Sequence, residues 1–544
     1  MPAWQTLRVG LLPAAAIAGL GLALVWATRP DPPAAEPLPP RSVVIDGEIV
    51  GRLDRLFVDR WREAALEPAA PADDLTLLRR TWLALAGTIP SLEEIRRFEA
   101  DDRPDRWPRW LDAILSDRRT AEHLARRLAT ALVGSEGGQF IVFRRDRFVA
   151  WLADQLHANR PFDEIVTAMI AEQGLWTDTP AVNFVTQAAD DGVIDADRLA
   201  VRVSRTLLGQ RIDCAQCHDH PFAAWKRPQF EGLAACFAQV KLSAVGIEDD
   251  PARVYDVDDG MADDGGMRPR RRVPPQLPYG RDWVSRTDRS RRDLASWIVH
   301  AENRRFPRAI VNRTWRIVFG RAWHEPVDDL PDPGPESDPL DPLDLLAADF
   351  QSHGHDLRRL LATLCASRVF ALASSHPALD DPAGADAVAA AWAAFPLTRL
   401  EPDQMIDAMM QATSLRTIDG QSHLVTRTIG FFREIDFVRE YGAAADDPQG
   451  VPATIPQALV MMNGRLAREM VEANPFTSAG RIAGMARDDD TRIEVMTLVA
   501  LTRRPSPEER SALRAVLSQA ETPGRGMEDV CWALFNSPEF AWNH

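Results

Sequence analysis

Lysine is almost missing from this chain. Of 63 basic side chains only Lys226 and Lys241 are lysines, and 79 aspartates and glutamates leave a formal net charge of -16. A surface of that sign repels phosphate backbones and argues against a general nucleic-acid binder. Arginine abundance alone is no sign of phosphate recognition. Its plainest role is to pair with carboxylates along solvated helix faces. Cysteine is scarce too. Five in 544 residues are too few for a disulfide scaffold, and the odd number leaves at least one thiol without an internal partner. There is no Gly-rich phosphate loop, no nucleophile elbow and no zinc-protease helix, so no local motif assigns a reaction and enzyme status stays open.

Alternating strand patterns are nearly absent, whereas helical periodicity runs through most of the sequence. "DLTLLRRTWLALAG" places Leu75, Leu78, Trp82 and Leu85 on one face, and Gly87 can end that helix. "PSLEEIRRFEA" opens on a capping box, Ser91 with Glu94. Pro161 divides a second helical pair, and Gly209 and Gly320 fall where helices should stop. His123, His157 and His300 lie on helix patterns and read as surface or capping groups. His353 and His355 in "QSHGHD" have a metal-like spacing but read as a polar helix junction. Cys365 and Cys531 lie in apolar helical runs and read as small core residues.

The N-terminus carries an uncharged run, Val9 to Ala27. As a helix it would span roughly 29 Å, close to the thickness of a bilayer core. It reads as a membrane anchor in preference to a cleaved signal peptide, and either one exports the rest of the chain. A Pro-rich stretch after it is an extended spacer. The acidic, then Gly-rich, then Arg- and Pro-rich segment from Gly246 to Gly280 reads as an irregular connection, with room for a short hairpin. The expected class is therefore mainly α, a multi-helical two-domain architecture with long irregular connections and an N-terminal membrane segment. Its parts are 1–28 as anchor or signal, 29–44 as linker, 45–242 and 285–544 as helical domains, and 243–284 as connector. The expected location is exported, anchored in the inner membrane and facing the periplasm or cell exterior.

The chemistry concentrates in "CAQCHDHPF", Cys214 to Phe222. Two thiols three positions apart can each add to one vinyl group of a haem, and the histidine directly after them can reach the iron. This gives Cys214 and Cys217 as attachment points for haem c and His218 as axial ligand. Met461, Met462, His355 and His544 are possible sixth ligands. The polar "DHPF" beyond them is not the start of an apolar haem pocket. Two other readings remain. Zinc can use Cys214 and Cys217 with His218 or His220 and a distant fourth ligand. A Cys214–Cys217 disulfide is the third. The haem reading makes the protein an electron-transfer or redox component. The others make it a zinc- or disulfide-stabilised scaffold for an envelope or polymer partner.

"RTLLGQRIDCAQCHDHPFAAWKRPQFEGLAACF" resembles the signature of the planctomycete cytochrome C-like (PSCyt) domain, and "LLRRTWLALAGTIPSLEEIRRFEADD" resembles that domain's opening. "FPRAIVNRTWRIVFGRAW", "RLEPDQMIDAM", "IPQALVMMNG", "LTRRPSPEE" and "WALFNSPEFAWNH" resemble the companion PSD domain of unknown function. The resemblance covers most of the chain after about residue 45. It implies an exported, cytochrome-like protein with Cys214, Cys217 and His218 as haem ligands. Asp219, His220 and Pro221 also match. Asn312, Arg313 and Trp315 match the companion's Asn-Arg-x-Trp, either a structural hydrogen-bonding corner or part of a site shared with the first domain. In "PESDPLDPLDLL" a histidine common in the family is missing, which puts any role for it in doubt.

Overall fold

A computed structural model describes residues 45–135, 142–257, 270–334, 341–419 and 455–544. The apolar run Val9 to Ala27 and the Pro-rich linker lie outside the described residues. Helix accounts for 59% and strand for 6%, which makes the class mainly α. Among the described residues no helix is long and apolar enough to cross a membrane. From Arg41 on, the described chain clusters as one compact unit.

Helix α1, Gly47–Glu63, is capped by Asp46 and buries Ile49, Leu53, Phe57 and Trp61. It lies against distant sequence: the Trp61 indole donates to Ala391 O at 3.0 Å and Arg60 donates twice to Ala390 O. Phe57 joins Trp315 and Trp323 in an aromatic cluster that Trp392 completes.

Helix α2, Asp74–Ala86, starts where Asp73 accepts from the amides of Leu75 and Thr76, and stops at Gly87 in the left-handed region at φ 70°. Its periodicity predicts one apolar face. Instead, every residue from Leu78 to Leu92 is buried, Arg79 and Arg80 included. The two guanidinium groups are tolerated there because backbone carbonyls receive them. Arg79 donates to Ala500 O and Phe540 O, while Arg80 donates to Phe370 O, to Leu372 O at 2.8 Å and to His544 O at 3.0 Å. Arg80 also lies 3.6 Å from the Phe395 ring centre. Burial pushes the Arg80 guanidinium down to about 9. These arginines are interior clamps rather than members of a solvated face.

Helix α3, Leu92–Glu99, has the expected capping box of Ser91 and Glu94. Helix α4, Arg118–Val133, carries His123, which is 1% exposed, so the surface reading of this residue is overturned. A Cβ on Gly87 would collide with its ring, so glycine there answers both the turn and the close approach. Neither ring nitrogen has a hydrogen-bond partner. Burial pushes His123 down to about 3, with Asp403 opposing and Arg126 and Arg127 reinforcing the shift.

Helices α5, Arg145–His157, and α6, Phe162–Ala171, flank Pro161 as expected. Helix α7, Ala196–Leu207, leads to the site, and α8, Arg227–Ala235, comes after it. Two antiparallel ladders follow: β1, Val240–Ser243, leads into the acidic connection and pairs with β2, Gly246–Asp249, and within the connection β3, Tyr255–Val257, pairs with β4, Arg271–Val273. Residues 258–269 between the last two strands lie outside the described residues. The second ladder is tied to the helices, because Arg271 clasps both carboxylate oxygens of Glu231 on α8. Helix α9, Arg305–Phe319, ends at left-handed Gly320, and α10, Asp489–Leu501, presents the Ala500 carbonyl to Arg79.

Two variants test this packing. Arg80→Ala strands buried carbonyls of two segments and should cost about 3 kcal/mol in urea denaturation, with no rescue by Arg80→Lys. His123 is neutral when folded and takes up a proton on unfolding below pH ~6.5. Its contribution is present above that pH and is lost as pH falls toward about 3. The slope reaches about 1.4 kcal/mol per pH unit. His123→Leu should flatten the fall in stability between pH 6.5 and 4, read as the urea midpoint at each pH.

Candidate functional site at the Cys214–His220 turn

Helix α7 ends in Leu208 and left-handed Gly209, and the chain then turns at Gln210. A side chain on Gly209 would collide with Leu330 at 2.9 Å, and Leu330 N donates to Gly209 O at 2.8 Å. Gln210 is buried and acts in three directions. Its amide nitrogen donates to Gly209 O at 2.8 Å and to Leu330 O at 2.7 Å, and its oxygen accepts from the Trp225 indole at 3.1 Å. Arg211 adds an ion pair to Asp328 at 2.7 Å. The turn therefore sits where residues 205–225 meet residues 327–330.

Asp213–Gln216 is a short 3-10 helix with Ala215 buried beneath it. Anchoring Ala215 turns its neighbours outward. Cys214 and Cys217 are both exposed and are not bonded to each other, whereas Cys236, Cys365 and Cys531 are buried. Burial pushes the Cys236 thiol up to about 12 and the other two buried thiols up as well, so those three are inert. The expectation for Cys365 and Cys531 holds.

The two histidines differ in a way that sequence does not show. His218 Nδ1 lies 2.8 Å from the carbonyl oxygen of Asp219. A carbonyl only accepts, so Nδ1 carries the proton and the Nε2 lone pair is free. His220 Nδ1 instead accepts from the amides of Phe222 at 3.2 Å and Ala223 at 2.9 Å. In the neutral ring its proton must then sit on Nε2, which leaves no lone pair to offer. His220 also donates its own amide to Trp225 O at 2.9 Å, so it closes the loop. Asp219 holds the other side, accepting from Arg227 N at 3.0 Å and pairing with Lys226 at 3.1 Å. These partners, the Arg227 amide first, hold its carboxyl below the usual range. The Phe222 ring stands 94% exposed beside His220.

Asn312 holds the facing loop: its side chain donates to His324 O at 2.9 Å and accepts from His324 N at 2.9 Å. Trp315 is buried in the aromatic cluster. Those two residues form a structural corner, while Arg313 between them lines a cleft beside the Cys214 turn.

The other histidines and the zinc set come out separately. His353 bonds back to Asp349 within its own helix end, and His355 packs between Phe306 and Phe350 beside Asp163, so the two do not form a pair. His544 faces Glu539, and Met461 is buried. Among the described residues no three His, Cys, Asp or Glu side chains gather as a metal site requires.

Two family models match the chain. One is PSCyt2, a protein of unknown function (DUF1549), over residues 52–242; the other is PSD1, a protein of unknown function (DUF1553), over residues 290–449. The chain carries a PSCyt2 domain followed by a PSD1 domain. No curated protein and no solved structure matches it. The Cys214–His220 turn belongs to the PSCyt2 domain, and Asn312, Arg313, Asp328 and Leu330 belong to the PSD1 domain. Gln210 is thus one of the hydrogen-bond bridges between them.

Removing that bridge isolates its role. Gln210→Leu leaves the Trp225 indole and the Leu330 carbonyl unpartnered and should cost about 1–3 kcal/mol. Amide exchange at His220, which bonds to Trp225 O, should accelerate; mass spectrometry of residues 217–225 reads it.

Proposed function

We propose that the PSCyt2 domain holds one haem c through Cys214 and Cys217, with His218 as the iron ligand, in an exported and membrane-tethered electron-transfer protein. The observation that carries this reading is the pair of opposite histidine tautomers: His218 offers a free Nε2 and His220 does not. A ligating histidine gains basicity and a fixed orientation when its other nitrogen donates to a carbonyl, which is what Asp219 O supplies. Both thiols are open to reagent. The exposed Phe222 ring offers an apolar surface against which a flat macrocycle can rest. Bound haem would supply a one-electron couple. The chain's part is to present two sulfurs and one nitrogen from a single rigid turn, anchored by Ala215 and Gln210.

Zinc is served less well. It asks for four donors, and His220, the spaced partner that suits a tetrahedron with Cys214 and Cys217, spends its lone pair on backbone amides. Thioether formation takes place outside the cytosol, so the reading agrees with an anchor at Val9 to Ala27 and an envelope-facing partner.

The test is expression of the full chain in cells with active haem-ligation machinery, followed by a denaturing gel stained for haem peroxidase activity. A stained band is expected, absent in Cys214→Ser/Cys217→Ser. His218→Ala should keep the covalent stain and shift the Soret band of the native protein. An unstained band, with one equivalent of zinc or an intact Cys214–Cys217 disulfide by mass, replaces this reading by the scaffold one.

A further inference from the structure

Beside the Cys214 turn, a cleft of about 440 Å³ opens between α7 of the PSCyt2 domain and the start of the Asp328 loop of the PSD1 domain. It is lined mainly by charge, and the charges do not balance in their partners. Four carboxylates face it, and all four are engaged. Asp195 caps α7 by accepting from Arg198 N at 3.0 Å. Asp197 accepts from the Tyr255 hydroxyl and from Gln216 at 3.1 Å. Asp213 pairs with Arg205 at 3.0 Å, and Asp328 pairs with Arg211 at 2.7 Å.

Four arginines face the same cleft, and only two are engaged. Arg205 pairs with Asp213, and Arg202 donates to Ala131 O at 3.0 Å. Among the described residues the Arg198 and Arg313 side chains have no hydrogen bond and no ion pair. Arg198 is exposed and costs little in that state. Arg313 is half-buried, and its Nε is sealed from solvent with no partner in the protein. Burial pushes the group down to about 10, with Asp328 nearby but already committed to Arg211. A sealed N–H without an acceptor is costly, and the planar fork of the half-buried guanidinium matches the two oxygens of a carboxylate or phosphate.

We infer that this cleft binds a small hydroxylated acid, its oxyanion group received by Arg313 with Arg198 at the mouth. The volume admits a ligand with a body, because pockets of roughly 300–1,000 Å³ enclose molecules far larger than a lone ion. The body meets Gln216 and the carboxylates of Asp195 and Asp197, which suit hydroxyl groups. Residues of both domains are needed, so the site exists only where they join. The inference does not depend on the haem reading.

Calorimetric titration of the full chain at fixed ionic strength tests it, with gluconate, glycerol 3-phosphate and neutral sorbitol as probes. Saturable binding is expected for at least one acid and none for sorbitol; which acid binds separates carboxylate from phosphate. Arg198→Ala, at an exposed position, should weaken binding roughly tenfold. Arg313→Met should abolish it while the far-ultraviolet circular dichroism stays unchanged. Cys214→Ser/Cys217→Ser should bind as the parent does, which keeps this outcome separate from haem attachment. No saturable binding of either acid, or binding that survives both arginine variants, overturns the inference.

Discussion

The burial of two adjacent guanidinium groups is the constraint on which the rest of the architecture depends. From Leu78 onward helix α2 is enclosed on every side, and a helix stretch so enclosed ordinarily carries no charge. Arg79 and Arg80 can lie there only because carbonyls from Phe370, Leu372, Ala500, Phe540 and His544 converge on them. Those carbonyls are answered by the arginines in turn, at points where their own segments end or bend. Backbone oxygens meet the two charges, and among the described residues no aspartate or glutamate side chain is bonded to either one. The arrangement makes residues near 80 the hub around which segments hundreds of positions away are ordered.

The candidate site is built by the same logic at smaller scale. One buried amide, Gln210, supplies hydrogen bonds to both family segments and sets the height of the Cys214 turn over its support. Arg211 and Arg205 then draw Asp328 against the turn. The reactive groups remain in solvent because the groups beneath them are satisfied. His220 is spent on shape, closing the loop with its Nδ1, and this leaves His218 as the histidine of the turn whose Nε2 is uncommitted.

Much of the local structure was legible from residue order. Ser91 and Glu94 mark a helix start through hydrogen bonds that polar side chains make to nearby amides, and those bonds are local. Gly87, Gly209 and Gly320 mark helix ends for the equally local reason of left-handed backbone. The Cys-x-x-Cys-His spacing located the exposed thiols. What stayed hidden was set by distance. Nothing within ten residues of Arg79 or Arg80 announces carbonyls near residues 370, 500 and 540. His123 looks like any helix-surface histidine until Gly87 is brought against its ring. The difference between His218 and His220 depends on which backbone groups the loop turns toward each ring. The cleft that pairs α7 with Arg313 needs both family segments in place before it exists.

Helix α1 carries a different kind of consequence. Its aromatic face is completed by Trp315, Trp323 and Trp392, and its arginine and tryptophan donors are met by carbonyls 330 positions later. The segment synthesised early is therefore among the last to find its place. Until residues 315–323 emerge Phe57 lacks its ring partners, and the Trp61 indole lacks its acceptor until Ala391. Closing so long a span is entropically slow, and a nascent chain with bare aromatic rings invites association with its neighbours. Any attempt to make the first two hundred residues alone begins with α1 lacking these partners.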